Sequence, residues 1–450
     1  MNYKLCLWIC GLLLTVHCAL AQPTDSLNLQ QCIDIALKNN LQVKQSGLTA
    51  EQDLVNYNQA KENLLPAINA NVSHYLENGR SQDPITYTYV NNQITYANYS
   101  LYGNLTLFNG FTLINNIKQT KLAYEAGKMD FQQAKDLVTI NLITAYLQVL
   151  SSIEQMDQAK AQAEVSRQNV QRQIILNNAG SGKPSDLYDL QGKLASDQLT
   201  VINAQNTVES NKLALLQIMN APYQENLHLE RIQEATTLTR FPFTADQVYH
   251  EAVNALALVK SAQLKRESAE KGVKVAKGQL FPTLSLSGGV YTAYSSTGAT
   301  SVLVDSVSVY RRISYGSQLR NNYYSLAGVS LQLPILNYFQ KRNSISQAKL
   351  TLLNARYVEE STKIQLRQSV DQAYVNMATA YSSYQVLQDQ VRAFQESFRT
   401  AQIRFDAGVL NSIEFVTVKN NLDVANINLI SAKYNYAIRL RILDYYQGKL

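Results

Sequence analysis

A chain of 450 residues, 46 % hydrophobic and 16 % charged, can bury a large fold. Its formal charge of +6 is scattered along the sequence, which argues against a nucleic-acid partner. Beyond the first 21 residues the histidines are His74, His228 and His250, none in an H-E-x-x-H or i, i+4 pair, and no G-x-S-x-G, Walker A or glycine-rich nucleotide loop occurs. The sequence therefore offers no catalytic, cofactor-binding or metal-ligating residue, and argues against an enzyme.

Residues 1–21 read as a secretion signal: Lys4, an apolar run from Leu5 to Leu14, then Ala19 and Ala21 as the small residues before cleavage at Gln22. The run is short for a membrane anchor, and Ile9 and His17 stand before Cys10 and Cys18 where a lipoprotein signal needs a small residue. Cleavage removes Cys6, Cys10 and Cys18 and lowers the charge to +5. Cys32, left alone, can form neither an internal disulfide nor a cysteine metal site, and reads as a core residue of an early helix. No later segment has the roughly 18 continuous apolar residues of a transmembrane helix.

From residue 22 the chain is written twice, as a first repeat over 22–220, a connecting segment over 221–244 without a functional motif, and a second repeat over 245–450. In the first repeat, helices lead to Leu64-Leu65-Pro66, and beyond Pro66 the pattern alternates with period two. Strands are predicted over about 67–78 and 94–108, with Tyr99, Leu101, Leu105 and Leu107 sharing a face. From Thr112 to about Ala179 there is no proline, and Leu142, Ala145, Val149, Ile153, Met156, Ala159 and Ala163 recur at spacings of three and four. That predicts one amphipathic helix about 100 Å long. The turn "NNAGSGKPSDLYDLQ" (Asn177 to Gln191) leads to a helix over 185–219.

In the second repeat, Leu280-Phe281-Pro282 follows the first motif by 216 residues, as Glu267 follows Glu51 and Ala276 follows Ala60. Strands are predicted over about 283–294, with Leu284, Leu286, Val290, Thr292 and Tyr294 on one face, and over 323–335, with Ala327, Val329, Leu331 and Leu333. After the strands the offset is 228, aligning Ala145-Tyr146 with Ala373-Tyr374, Gly180 with Gly408, Asp186 with Glu414 and Leu194 with Leu422. The 12-residue difference falls between the strands, in a polar, turn-rich stretch read as loop. A long helix over about 339–406, the turn "RFDAGVLNSIEFVTV" (Arg404 to Val418) and a helix over about 412–446 close the chain.

Helices of this length suit coiled-coil rods more than a compact core. Strands of roughly 10–13 residues with one apolar face match the hydrocarbon thickness of a bilayer. Six tyrosines from Tyr75 to Tyr102 and six from Tyr291 to Tyr324 fit the aromatic girdles of membrane barrels. Lipid tolerates no open sheet edge, and bacterial barrels begin at about eight strands, so four strands per chain require several copies to share one barrel. Strand counting alone permits two or three copies. The fold class is an α+β membrane protein with long coiled-coil helices, four transmembrane strands per chain and an internal two-fold repeat. The competing reading is an exported coiled-coil scaffold or adhesin without channel activity.

"LQQCIDIALKNN", the "LLP" and "LFP" strand starts, "LTLFNGF" and "LQLPILNYF" at the strand ends, and "RFDAGVLNSIEFVTVKNNL" occur in order along the whole chain after the signal. In this doubled arrangement the sequence resembles the outer-membrane efflux protein family, the TolC-like channel-tunnels. The resemblance implies a homotrimer with a shared 12-stranded barrel in the outer membrane of a Gram-negative bacterium, in contact with lipid, and a helical tunnel in the periplasm. It also implies a periplasmic adaptor (membrane fusion) protein and, through it, an inner-membrane RND or ABC pump. The function implied is the passive exit duct of a tripartite efflux or type I secretion system, gated at its periplasmic tip, with no cofactor.

Gly180 and Gly408 stand where long helices end and a left-handed cap is needed, and Asp186 and Glu414 open the next helices, where a carboxylate suits the dipole. The resemblance makes these two turns the periplasmic entrance. Carried over position by position, the family's two entrance carboxylates fall on Glu414 and Thr417, of which only Glu414 is acidic. The family's gate-locking aromatic and arginine fall on Phe405 and Leu410, opposite an acid that falls on Asp186. Phe405 keeps the ring without the hydroxyl, Leu410 cannot pair with Asp186, and Arg404 and Lys183 are the nearby cations that could replace it. The expectation is the family's entrance geometry without its ionic lock, and a Glu414 ring that attracts cations.

Overall fold

The computed structural model describes residues 26–82, 87–224, 227–231, 239–305 and 307–449, so the signal segment lies outside the described residues. Helices α1 (Leu29–Asn39) and α2 (Leu41–Glu62) precede strands β1 (Ala67–Gln82) and β2 (Tyr89–Phe108), followed by α3 (Thr112–Asn178) and α4 (Pro184–Ile218). The second half holds α5 (Ala245–Ala255), α6 (Ala257–Gly278), β3 (Thr283–Ser295), β4 (Ala299–Val304), β5 (Val307–Arg312), α7 (Tyr315–Asn321), β6 (Tyr324–Gln332), α8 (Gln340–Asp406) and α9 (Ser412–Tyr446). The fold is α+β. The chain forms two units, one of Met1–Gly47, Asp130–Val259 and Lys363–Leu450, the other of Leu48–Met129 and Lys260–Thr362.

The first unit is helical. Asn28 and Thr244 open α1 and α5 with capping boxes that close on Gln31 and Gln247. One core packs Cys32 and Ala36 against Leu142, Tyr146 and Val149 of α3 and Leu215 of α4. A second packs Val248 and Ala252 against Val370 and Met377 of α8 and Tyr436 and Leu443 of α9. Burial pushes the Cys32 thiol up to about 11, so it stays a neutral core group. The buried tyrosines reach backbone of the segment joining the halves: Tyr146 donates to Glu230 O at 2.7 Å and Tyr436 to Thr239 O at 2.6 Å. The hydroxyls thereby keep a partner inside apolar surroundings.

The second unit contains an antiparallel sheet in the order β1-β2-β3-β6. β1 and β3 begin directly after Pro66 and Pro282, where proline pushes the preceding residue out of helical conformation. The pairs Ala67↔Asn104, Leu284↔Phe108 and Thr283↔Gln332 bring all four helix-linked strand ends to the same end of the sheet. There Gly110, at φ 64°, comes so close to the carbonyl of Gly278 that a Cβ on it would clash. Register aligns Ala70↔Leu101↔Val290 and Leu105↔Leu286↔Val329 on one face. On that face Ile68, Val72, Leu286, Val329 and Leu331 are 41–69 % exposed, so no core covers them among the described residues. The opposite face presents Asn69, Asn71, Asn98, Ser100, Ser285 and Ser287. On it lie two directly opposed tyrosine stacks, Tyr75–Tyr96 and Tyr291–Tyr324, with ring centroids 5.0 and 5.1 Å apart.

Three boundaries differ from the sequence reading. The β1–β2 ladder runs past the expected 67–78 and 94–108, because the polar residues from Glu77 to Gln82 pair with Tyr89 to Ile94. β6 ends at Gln332, short of 335, since Pro334 has no N–H to give to the ladder. The stretch read as loop contains the β4–β5 hairpin and α7. Its order comes from the buried Gln318, whose amide accepts from Ser295 N at 2.9 Å and donates to Ser295 O at 2.9 Å and Ile313 O at 3.0 Å.

Candidate functional site

The turns joining α3 to α4 and α8 to α9 share one backbone. Ser181 N and Gly182 N both donate to Leu176 O, and Val409 N and Leu410 N both donate to Arg404 O, at 2.9–3.2 Å. Gly180 at φ 75° and Gly408 at φ 71° supply the left-handed step that lets the chain reverse.

The side chains then divide the work. Leu410 and Phe415 are buried with Phe405, Val170, Leu190 and Ala401, and the Phe405 and Phe415 rings stack at 4.4 Å and 12°. From the other turn, Asp186 and Asp189 accept from the hydroxyl of the buried Ser412 at 3.0 and 2.8 Å. Arg172 of α3 pairs with the Asp406 carboxylate, donates to Asp406 O at 2.9 Å and lies 5.9 Å from the Phe405 ring centroid. The Ser412 hydroxyl and the Arg172–Asp406 ion pair thus cross between the two hairpins, and Val170 and Leu190 of the first pack into the Phe405–Phe415 cluster of the second.

Farther along α4 and α9, two lysines and two aspartates form a closed set. Lys193 Nζ lies 2.6 Å from Asp197 and 3.4 Å from Asp423, and Lys419 Nζ lies 3.2 Å from Asp197 and 2.7 Å from Asp423. Ser166 of α3 donates to Asp197 at 2.6 Å, and Gln162 to Asp423 O at 3.1 Å. The Lys419 side chain is only 3 % exposed, which makes this a buried network and not a solvated pair. Burial alone would raise the Asp197 carboxyl, but Lys193, Ser166 and Lys419 together hold it below the ordinary carboxylate range.

Glu414 and Thr417 are both exposed, one turn apart on α9. Glu414 N donates to the capping Asn411 Oδ1 at 2.8 Å, while Thr417 Oγ1 donates to Ile413 O at 2.8 Å. Asp186 pairs with no lysine or arginine among the described residues, and Lys183 caps α4 without a side-chain bond. Arg404 lines a groove of about 570 Å³ with Glu396, Thr400, Glu414 and Thr417. Ser412, Asp189, Phe415, Arg172 and the lysine–aspartate set were not foreseen. The i, i+4 spacing of Lys193 with Asp197 and of Lys419 with Asp423 was the one available signal, and it reads equally as a solvated helix pair.

The outer membrane efflux protein family model matches residues 32–221 and 248–449. Over 437 residues the chain is 22 % identical to the outer membrane protein TolC of Escherichia coli, covering 95 % of this chain and 83 % of that one. Among solved structures, the CmeC outer membrane channel of Campylobacter jejuni is similar with a TM-score of 0.77 at 18 % identity, over 95 % of this chain and 86 % of that one. The open state of the MtrE outer membrane channel of Neisseria gonorrhoeae gives a TM-score of 0.76 at 19 % identity, over 93 % and 88 % of the two chains.

Proposed function

The chain belongs to the outer membrane efflux protein family and is an outer-membrane exit duct for efflux; from that premise we propose how it assembles and how it is gated. Three copies, each giving four strands, close one 12-stranded barrel with the apolar face in lipid and the polar face around a water-filled lumen. The sheet carries this proposal. Among the described residues the part of its apolar face nearest the prolines has no cover, and its outer strands β1 and β6 each leave an edge unpaired, which lipid does not tolerate. Strand directions alternate, so β6 of one copy meets β1 of the next in the antiparallel sense found at every other pair. A scaffold or adhesin has no use for such a face.

The long helices form the tunnel on the periplasmic side, where an adaptor protein docks and links the duct to an RND or ABC pump. The duct is passive and non-enzymatic, and the pump supplies the energy. The two halves arise from one duplicated unit, in keeping with buried Cys32, Ala36 and Val43 matched 216 residues later by Val248, Ala252 and Val259.

The turns at Gly180 and Gly408 form the entrance. It is closed by the Ser412 clasp on Asp186 and Asp189, the Arg172–Asp406 pair and the packing of Val170 and Leu190 against the Phe405–Phe415 stack, in place of the family's ionic lock, and it opens when the hairpins part. Glu414 of three copies forms an exposed acidic ring that favours cations. The deciding experiment is the mass of the species that detergent extracts from purified outer membranes, followed by its single-channel conductance. A three-chain particle that conducts, with cation preference reduced in Glu414→Gln, is the expected result. A monomer, or unchanged selectivity, would count against the assembly or the ring respectively.

A further inference from the structure

The end of the sheet away from the prolines carries three arginines, far in the sequence from the two helix turns described above. Arg311 and Arg312 close β5 and Arg320 lies in the last turn of α7, three exposed arginines within ten residues. The one acid of this stretch, Asp305, sits at the opposite end of the hairpin. Among the described residues Arg320 reaches Ser317 Oγ alone, at 3.5 Å, and neither Arg311 nor Arg312 has an acidic partner. The arginines also sit at a defined level. α7 is fixed against the apolar side of the sheet: Thr292 Oγ1 donates to Leu319 O at 2.6 Å, the Tyr294 and Tyr315 rings lie 4.3 Å apart, and the Tyr99 and Tyr315 hydroxyls are bonded. Tyr99, Tyr294 and Tyr315 thus cluster where the apolar band ends, the position of an interfacial aromatic belt. On the hairpin, Val302 pairs with Val309 and shares a side with Val307, and that side ends in Arg311 opposite Thr300, whereas Arg312, opposite Ala299, falls on the other side. Val302, Val307 and Val309 are exposed.

We propose that this end of the sheet binds the phosphate groups of an anionic, multiply acylated lipid of the outer leaflet, a reading that rests on the outer-membrane assembly proposed above. Guanidinium groups grip phosphate through two parallel bonds, and free arginines at headgroup level with a valine stripe and a tyrosine cluster beside them match the charged head and apolar body of such a lipid. The test uses the purified full-length assembly in mild detergent, titrated with diphosphoryl lipid A, its monophosphoryl form and its fully dephosphorylated form, with bound lipid read by native mass spectrometry. Diphosphoryl lipid A is expected to bind most tightly, to weaken with added salt, and to lose about tenfold in affinity in the combined Arg311→Gln, Arg312→Gln, Arg320→Gln variant. Equal binding of phosphorylated and dephosphorylated lipid by the unaltered protein overturns the proposal, as does full affinity in the variant. If the variant does not assemble, the lipid series on the unaltered protein decides alone. Failure of the duct reading is separate, because it shows as a non-trimeric mass or absent conductance without any lipid added.

Discussion

The two helix turns have the same hydrogen bonds and opposite interiors. At the third position past Ala179 and Ala407 the first turn has Gly182, where a Cβ would clash with the side chain of Asn177, and the second has Leu410, which is buried in the aromatic cluster. The first turn contributes the acceptors Asp186 and Asp189; the second contributes the donor Ser412 and the apolar mass of Phe405, Leu410 and Phe415. Glycine at the left-handed step therefore sets the path of both turns, while the side chains around it make one turn an acceptor and the other a plug. A duplicated backbone has become a two-part clasp.

Removing the plug should matter most. Phe415→Ala is expected to cost about 3–5 kcal/mol of local stability, read as lost hydrogen-exchange protection at both turns and a longer open time in single-channel records. Next is Lys419→Met, which leaves Asp197 and Asp423 to Lys193 alone and should cost about 3 kcal/mol. The same network sets a pH dependence. Because the folded Asp197 carboxyl is held below its ordinary range, its stabilisation is complete above the ordinary carboxylate pKa and is lost as pH falls through the lowered folded value. Protection of α4 and α9 should drop on acidification below about pH 4, and Asp197→Asn should remove that part of the pH response. Ser412→Ala leaves two carboxylates without their shared donor and should cost about 1–3 kcal/mol, without moving the sheet. Smallest are Gly180→Ala and Gly408→Ala. Neither Cβ meets another atom within 4 Å, so each should cost only the left-handed strain of about 1 kcal/mol. A much larger effect at one of them would break the equivalence of the two turns.

Much of the backbone can be read directly from residues. Pro66 and Pro282 mark where helix gives way to strand, Gly180 and Gly408 mark where long helices reverse, and period-two alternation assigns Leu101, Leu286 and Val329 to one face. These signals are local, acting within a few residues. What sequence does not carry is pairing over distance. Ser412 follows the capping Asn411 in a stretch that reads as an ordinary helix start, and nothing near it points to two aspartates more than 220 residues away. Lys193 and Asp197 look solvated until Lys419 and Asp423 meet them. The β4–β5 hairpin was missed because its valines are short runs among serine and threonine. Its anchor, Gln318, is a polar residue whose burial only the folded chain reveals.

The free edges of β1 and β6 have a genetic consequence. In the trimer proposed above, each copy joins its neighbours by two different strands, so the ring is head-to-tail and one faulty edge leaves it open. A chain altered only along the outer edge of β6 would then act dominantly. Expressed in equal amount with the normal chain, it would leave about one ring in eight without an altered subunit, if subunits mix at random. Loss of efflux in such a mixed cell would exceed what halving the gene dose produces.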